Sequence, residues 1–208
     1  MSAGTTSNGL RKRHIEAADL MSMEAYGKER KERRSAVSAL KRNRRVEVGP
    51  FATFYFECYE TMWMQIHEML FVERGGPEQI PGELAAYNPL IPQGRELIAT
   101  LMLEIEDPIA RARALARLGH VEDTIELDLG GLIVKGQSAD HDTERTTEEG
   151  KTSSVHFIRF SFSDEATRRF TTVGTRVVLG FTHPNYAHMA VVPEAVRAAL
   201  AEEDLDPV

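Results

Sequence analysis

The residues best suited to chemistry lie in the stretch Phe56–Leu70, which reads FECYETMWMQIHEML and mixes acids with aromatic residues and methionines. At about 100° per residue, an α-helix over this stretch places four ionisable side chains within one arc of roughly 100°. We call this set the acidic arc; it consists of Glu57, Glu60, His67 and Glu68. Carboxylates together with an imidazole suit iron, manganese or zinc, so the arc is a candidate metal site. The solvated face of an amphipathic helix has the same pattern and is the simpler interpretation.

Two features indicate that the acidic arc is more than the solvated face of a helix. Residues 54–73 contain no Lys or Arg, whereas a solvated face normally mixes charges of both signs. Phe71 falls inside the arc, so part of the arc is expected to be covered. A partly buried carboxylate needs compensation, which leaves three alternatives: a bound metal ion, ion pairs with arginines of residues 1–45, or a raised pKa that makes Glu60 or Glu68 a general acid.

Spacing weakens the metal alternative. Glu60 and His67 are seven residues apart, which is about 10 Å along a helix axis and too far for one ion. A ferritin-like di-iron centre requires a Glu-x-x-His pair on each of two helices, and the sequence contains no such pair.

A second group of candidate residues lies near the C-terminus, where residues 184–185 (Pro-Asn) are expected to form the tip of a β-hairpin. In this register His183 opposes Tyr186 and Phe181 opposes His188, and all four side chains share one face. We call His183, Tyr186 and His188 the His–Tyr–His face. Such a cluster can bind a metal or an anion, or relay protons. The alternative is an apolar strand end whose histidines are hydrogen-bonded within the protein.

Charge divides the chain into a basic arm and an acidic body. Residues 1–45 carry 12 Lys and Arg against 5 Asp and Glu, whereas residues 46–208 carry 13 against 27. The arginines of the arm could contact phosphates, which makes nucleic-acid binding an alternative function. The acidic body and the single aromatic residue of the arm, Tyr26, argue against it. We interpret residues 1–45 as a helical arm that is disordered over residues 1–9.

The order of the predicted elements indicates an α+β fold, in which an N-terminal helical half packs with a C-terminal, mainly antiparallel β-sheet. Residues 46–208 are expected to form one domain. Its helical part spans residues 51–119, with helices over 54–73 and 95–106 and a short helix from Pro108. Alternating, β-branched segments mark residues 121–193 as β-rich, a polar loop covers 137–153, and a closing helix covers 193–203.

Composition excludes several classes of protein. Cys58 is the only cysteine, so the chain cannot form an intrachain disulfide or supply several thiolates to an iron–sulfur cluster. No apolar run approaches the roughly 18 residues of a membrane span, and the N-terminus lacks the apolar region of a secretory signal. We therefore expect a soluble, cytoplasmic protein. His156, which shares one side of a predicted strand with Ile158 and Phe160, is interpreted as a core histidine.

Three segments together suggest a family: RRVEVGPFATFYFECYETMWMQIHEML, ELAAYNPLIPQGRELIATLMLE, and KTSSVHFIRF with HPNY. Over residues 26–188 the sequence resembles the bacterial domain-of-unknown-function 3501 family, whose members have similar lengths. The resemblance implies, by association only, a setting beside rubrerythrin-like diiron proteins and iron–sulfur redox proteins. The family does not require Cys58, which argues against a role for this thiol.

Three functional hypotheses follow. The first is an accessory or partner-binding protein of an oxidative-stress or iron redox system, a setting implied by the resemblance, with a metal ion held by the acidic arc. The second is a small-molecule enzyme with Glu60 or Glu68 as the acid or base and the His–Tyr–His face completing its pocket. The third is nucleic-acid binding through the basic arm.

Overall fold

The structure is a computed structural model that describes residues 11–139, 145–147 and 150–208. Within these residues the chain forms six α-helices and eight β-strands. The helices are α1 (Met23–Lys41), α2 (Tyr59–Glu73), α3 (Ile80–Tyr87), α4 (Pro108–Leu115), α5 (Asp164–Thr171) and α6 (Glu194–Glu203). The strands are β1 (Arg45–Val48), β2 (Ala52–Phe56), β3 (Glu96–Leu103), β4 (Ile125–Leu129), β5 (Ile133–Ser138), β6 (Val155–Ser161), β7 (Val177–Phe181) and β8 (Met189–Val191). The disorder predicted for residues 1–9 lies outside the described residues, as does part of the loop predicted over 137–153.

All eight strands join one antiparallel sheet in the order β1-β2-β3-β6-β5-β4-β7-β8. Strands β1 and β8, at the two ends of this order, approach each other, so the sheet curls into a nearly closed barrel. The α+β class predicted from the sequence is confirmed.

The sheet separates two apolar clusters. Leu97, Ala99 and Leu101 of β3 belong to the cluster inside the barrel, together with side chains from most other strands. Ile98 points the opposite way, because successive side chains of a strand alternate between faces, and it packs with Ile66 of α2 in a second cluster. Helix α2 therefore lies on the outer face of the barrel.

Helix α1 packs against α2. It begins after Ser22, whose hydroxyl accepts a hydrogen bond from the backbone N–H of Ala25 at 3.2 Å and so caps the helix. Tyr26 of α1 is fully buried, with its ring centroid 4.8 Å from that of His67. The arm is therefore anchored to the body at this point, while the division of the chain at residue 45 stays a prediction.

The helix predicted over residues 54–73 begins only at Tyr59, and this part of the prediction was wrong. The preceding residues Ala52–Phe56 form β2 and pair with strands on both sides. Their sequence, ATFYF, is rich in the aromatic residues that favour strands. The predicted end is right, since the helix stops at Glu73 and Arg74 adopts a left-handed conformation with φ of 57°.

The helix predicted over residues 95–106 is also wrong, because Glu96–Leu103 is strand β3. Its sequence, ELIATLML, consists largely of good helix formers. One side of the strand faces the barrel interior, and the other carries the apolar residues Ile98 and Met102 beneath the helices. Because both faces are apolar, the strand lacks the alternation of apolar and polar residues that marks a half-buried strand. The predicted helical part, residues 51–119, therefore contains two strands, and the sheet draws on both halves of the chain.

The C-terminal predictions agree better with the structure. Strands β4 to β8 lie within residues 121–193, and α6 closes the chain as expected. Helix α5, capped by the Ser163 hydroxyl, was not predicted. No helix among the described residues combines the length and apolar character needed to cross a membrane.

Candidate functional site

Glu68 of the acidic arc is neutralised by α1. Its carboxylate accepts hydrogen bonds from Arg30 Nε at 2.9 Å, from Arg30 Nη2 at 2.7 Å and from the Tyr26 hydroxyl at 2.6 Å. These hydrogen bonds, the Arg30 bond above all, lower the pKa of Glu68 to about 2. The guanidinium of Arg30 also lies over the ring of Phe71, 4.8 Å from its centroid. Ion pairing with the arm, one of the three predicted alternatives, is confirmed at this residue.

His67 is a buried structural histidine. Its Nδ1 lies 2.7 Å from the carbonyl oxygen of Trp63, and its Nε2 accepts a hydrogen bond from the backbone N–H of Met21 at 3.0 Å. Because Nε2 is an acceptor, the proton of the neutral ring is on Nδ1, which donates to Trp63. Burial lowers the pKa of His67, which favours this neutral form. Neither nitrogen has a free lone pair for a metal ion.

Glu60 is exposed and lines a different cavity, of about 610 Å³, together with Cys58. The thiol of Cys58 is buried, and burial raises its pKa to about 12. It therefore stays protonated near neutral pH and is a poor nucleophile.

Glu57 is the buried acid of the arc, with only 4% of its surface exposed. Its backbone is fixed on both sides, since its N–H donates to the carbonyl of Ile98 at 2.8 Å and its carbonyl accepts from Arg44 Nη2 at 2.9 Å. One carboxylate oxygen, Oε1, accepts a hydrogen bond from the Thr100 hydroxyl at 2.6 Å. The other, Oε2, is buried and has no hydrogen-bond partner among the described residues.

Glu57 lines a cavity of about 290 Å³, which we call the Glu57 pocket. The cavity lies between α2 and the outer face of β2, β3 and β6. Its apolar lining consists of Met62, Leu90, Met102, Val155 and Phe157. Its other polar lining consists of Lys41, Tyr55, Thr61, Gln65, Tyr87 and Thr100. The pocket thus combines apolar walls with a single buried carboxylate.

The four side chains of the acidic arc are not brought together in the structure. They have separate environments: Glu57 turns into the pocket, Glu60 is exposed, His67 is bonded to backbone groups and Glu68 pairs with Arg30. Across the described part of the chain, no three His, Cys, Asp or Glu side chains are grouped so that they could hold an ion. The predicted ligand set for iron, manganese or zinc is not brought together.

The register predicted for the C-terminal hairpin is confirmed. His183 pairs with Tyr186, and the N–H of Phe181 donates to the carbonyl of His188 at 2.8 Å. The Tyr186 hydroxyl is buried and donates to the carbonyl of Val48 at 2.7 Å, while it accepts from the N–H of Ala52 at 3.1 Å. These bonds tie the β7–β8 hairpin to the turn between β1 and β2.

The two histidines of the His–Tyr–His face differ. His183 is buried, accepts a hydrogen bond from the backbone N–H of Asn185 at 3.1 Å and lies 3.3 Å from the carbonyl of Gly119. His188 is exposed and packs on the Tyr186 ring, with 4.6 Å between centroids. Tyr186 and His183 thus hydrogen-bond within the protein, as the simpler alternative predicts, whereas this does not extend to the exposed His188.

The structure does not combine this face with the acidic arc into one pocket. Tyr186 belongs to the cluster inside the barrel, whereas Glu68 lies on α2, which packs on the outer face. The site that joins Glu60 or Glu68 to His183, Tyr186 and His188 is therefore not assembled.

His156 is a buried core histidine, as predicted. Its Nε2 lies 2.9 Å from the carbonyl of Ser153, and its Nδ1 lies 3.6 Å from Oε2 of Glu122. Burial lowers the pKa of His156. The buried partner Glu122 was not identified from the sequence.

Sequence reasoning also missed most of the Glu57 pocket. Thr100, Gln65 and Tyr87 come from β3, α2 and α3. All three lie in segments that carry the family resemblance, but nothing in those segments indicates that they line one pocket. The available signal was the register of β2 and β3, which places Tyr55 opposite Thr100. That signal was lost when both segments were interpreted as helices.

Comparison with known proteins places the chain in a family. A crystal structure of a protein of unknown function from Burkholderia pseudomallei is 37% identical, has a TM-score of 0.84, and covers 92% of this chain and 99% of its own. No curated protein matches the sequence. The family model described as "Protein of unknown function (DUF3501)" matches residues 14–205. The chain therefore belongs to the DUF3501 family.

Proposed function

We propose that this protein binds a small organic molecule in the Glu57 pocket, and that an N–H group of the ligand donates a hydrogen bond to Glu57 Oε2. The observation that carries the proposal is a buried carboxylate oxygen without a partner among the described residues, in a cavity large enough for a ligand.

An unpaired buried carboxylate oxygen is costly. Burying a charged group without compensation is strongly unfavourable, and a buried polar group left without a hydrogen bond costs about 1–3 kcal/mol or more. Protonation does not remove the need for a partner, because a buried O–H group also requires an acceptor. A ligand that donates to Oε2 would stabilise Glu57 and gain a strong, charge-assisted hydrogen bond.

The shape of the pocket restricts the ligand. A volume of about 290 Å³ is at the lower end of the range for small-molecule sites, which begins near 300 Å³. Tyr55, Tyr87 and Phe157 contribute aromatic rings to the lining, and aromatic rings attract organic cations. A small ammonium compound with an apolar body therefore fits the pocket better than an anion or a sugar.

The Glu57 carboxylate is also held in place before a ligand arrives. Glu57 is fixed through its backbone by Ile98 and Arg44, and its side chain is fixed by Thr100 of β3. A preorganised acceptor loses little conformational entropy on binding, which favours affinity. The predicted redox setting beside rubrerythrin-like or iron–sulfur proteins stays a prediction, because none of the described contacts bears on it.

Isothermal titration calorimetry with two apolar amines, isoamylamine and phenethylamine, tests the proposal. The native protein should bind at least one of them, and Glu57→Gln should abolish binding, because the amide keeps the shape of the side chain but not its charge. Glu60→Gln is the matched control, since Glu60 is exposed and lines a different cavity. Equal binding by Glu57→Gln, or failure of the native protein to bind either amine or leucine, would overturn the proposal.

A further inference from the structure

We propose that the ligand of the Glu57 pocket is a free α-amino acid with an apolar side chain, whose ammonium group binds Glu57 and whose carboxylate binds Lys41. This inference rests on the proposed function and specifies the class of ligand.

Lys41 is the cationic group of the pocket. It is the last residue of α1, its side chain is half-buried, and it lines the same cavity as Glu57. Its ammonium group has no hydrogen-bond or ion-pair partner among the described residues. Lys31 of the same helix is exposed, whereas Lys41 is half-buried and lines the Glu57 pocket.

Several other cations of the N-terminal region have ion-pair partners in the protein. These ion pairs are Lys28 with Glu24, Arg30 with Glu68, Arg33 with Glu29, and Arg44 with Asp204. Lys41 and Glu57 line one cavity but form no ion pair with each other. The pocket therefore offers one positive and one negative group, each available to a ligand of the opposite charge.

A zwitterion satisfies both groups at once. An α-amino acid carries an ammonium and a carboxylate on the same carbon atom, so each of its charges can meet a group of opposite sign. An amine leaves Lys41 without a partner, and a simple carboxylic acid leaves Glu57 Oε2 without one. The pairing of both charges is what distinguishes an amino acid from either of these ligands.

The remaining lining selects the side chain of the amino acid. Met62, Met102 and Phe157 form an apolar wall, and flexible methionines adapt to side chains of different shapes. Besides Lys41, the lining contains no Lys or Arg among the described residues, so a second carboxylate would stay unpaired. Leucine, methionine or phenylalanine should bind more tightly than aspartate or glutamate.

The test is a calorimetric comparison of leucine with isoamylamine, which lacks its carboxylate, and isocaproate, which lacks its ammonium group. Leucine should bind the native protein about tenfold or more tightly than either analogue, because it forms one additional charge-assisted hydrogen bond. Lys41→Met, which keeps an unbranched apolar stem, should reduce leucine affinity to that of isoamylamine without weakening isoamylamine. Lys31→Met should leave both affinities unchanged, since Lys31 is exposed and outside this cavity.

The outcomes separate this inference from the proposed function. If isoamylamine binds as tightly as leucine and Lys41→Met changes neither affinity, the amino-acid inference is wrong while the amine site stands. If leucine still binds Glu57→Gln with native affinity, the inference is wrong as well. If neither leucine nor any amine binds the native protein, the proposed function and the inference both fail. Urea unfolding of each variant confirms that a lost signal reflects lost binding rather than lost structure.

Discussion

Glu57 and Glu68 come from the same short stretch of sequence, yet the protein treats the two acids differently. Glu68 receives two hydrogen bonds from Arg30 and one from Tyr26, so its charge is compensated by the chain itself. Glu57 is more deeply buried and receives one hydrogen bond, from Thr100. Glu68, whose hydrogen-bond donors are all side chains of the protein, has a structural role. An acid with an unused buried oxygen beside a cavity is the better candidate for binding.

The largest effect should come from removing the buried cation that holds the Glu57 backbone. Arg44 is fully buried, binds Asp204 and donates to the carbonyl of Glu57. Arg44→Met leaves Asp204 buried without its partner and should lower the free energy of unfolding by about 3–5 kcal/mol. Urea denaturation measures the loss, with the exposed Arg42→Met as the control.

The Arg44→Met variant should also depend on pH in a defined direction. Burial raises the pKa of Asp204 to about 6 from its ordinary value of 3.8, although Arg44 lowers it. The folded state therefore favours the neutral acid, so this group stabilises the protein as pH falls through 6. The loss in Arg44→Met should be smaller near about pH 5 than near about pH 7. An equal loss at both values would contradict this account of Asp204.

The next-largest loss of stability is expected when Glu57 loses its hydrogen bond from Thr100. Thr100→Val removes the hydrogen bond to Oε1 and leaves both oxygens of a buried acid without a donor, which should cost about 2 kcal/mol of stability. Thr53→Val is the matched control on β2, where the acceptor, Glu104, is exposed to water and can be solvated. Chemical denaturation should give a clearly smaller loss for the control. Equal losses would mean that Glu57 is no more dependent on its partner than a surface acid.

A smaller loss is expected at the compensated acid. Glu68→Gln weakens the hydrogen bonds to Arg30 and Tyr26 and should lower stability by about 1–2 kcal/mol. Because the pKa of Glu68 in the folded protein is about 2, below its ordinary value of 4.5, the contribution of its charge is fully present above pH 4.5 and is lost as pH falls through 2. The difference between the native protein and the variant should shrink over this window in a pH series of thermal unfolding. A difference that grows on acidification would refute the assignment.

The smallest effect should be the most informative. Glu57→Gln removes an uncompensated buried charge while its side-chain carbonyl can still accept from Thr100, so stability should be unchanged or slightly higher without ligand. In the same urea series, Glu57→Gln should therefore not show the loss of stability that is expected for Glu68→Gln. A loss as large as that of Glu68→Gln would show that Glu57 already has a partner in the fold.

Some of this organisation could be predicted from the sequence, and the failures have physical reasons. The register of the hairpin is local, and it followed from a two-residue tip at residues 184–185. Pairing of the acidic arc with the arm was one of three alternatives that the sequence left open, and the structure forms it at Glu68. Strand β3 was missed because both of its faces are covered, which hides the alternation. The Glu57 pocket was missed because Thr100 is brought to Glu57 by strand pairing across 43 positions of the chain.

Whether an amine binds Glu57 is tested by soaking crystals of the protein with isoamylamine and determining the structure. We expect the amine to lie in the Glu57 pocket, with its nitrogen about 2.7–2.9 Å from Glu57 Oε2. The contradicting result is a pocket without the amine in which Lys41 turns inward and pairs with Glu57, because the protein would then supply the missing partner itself.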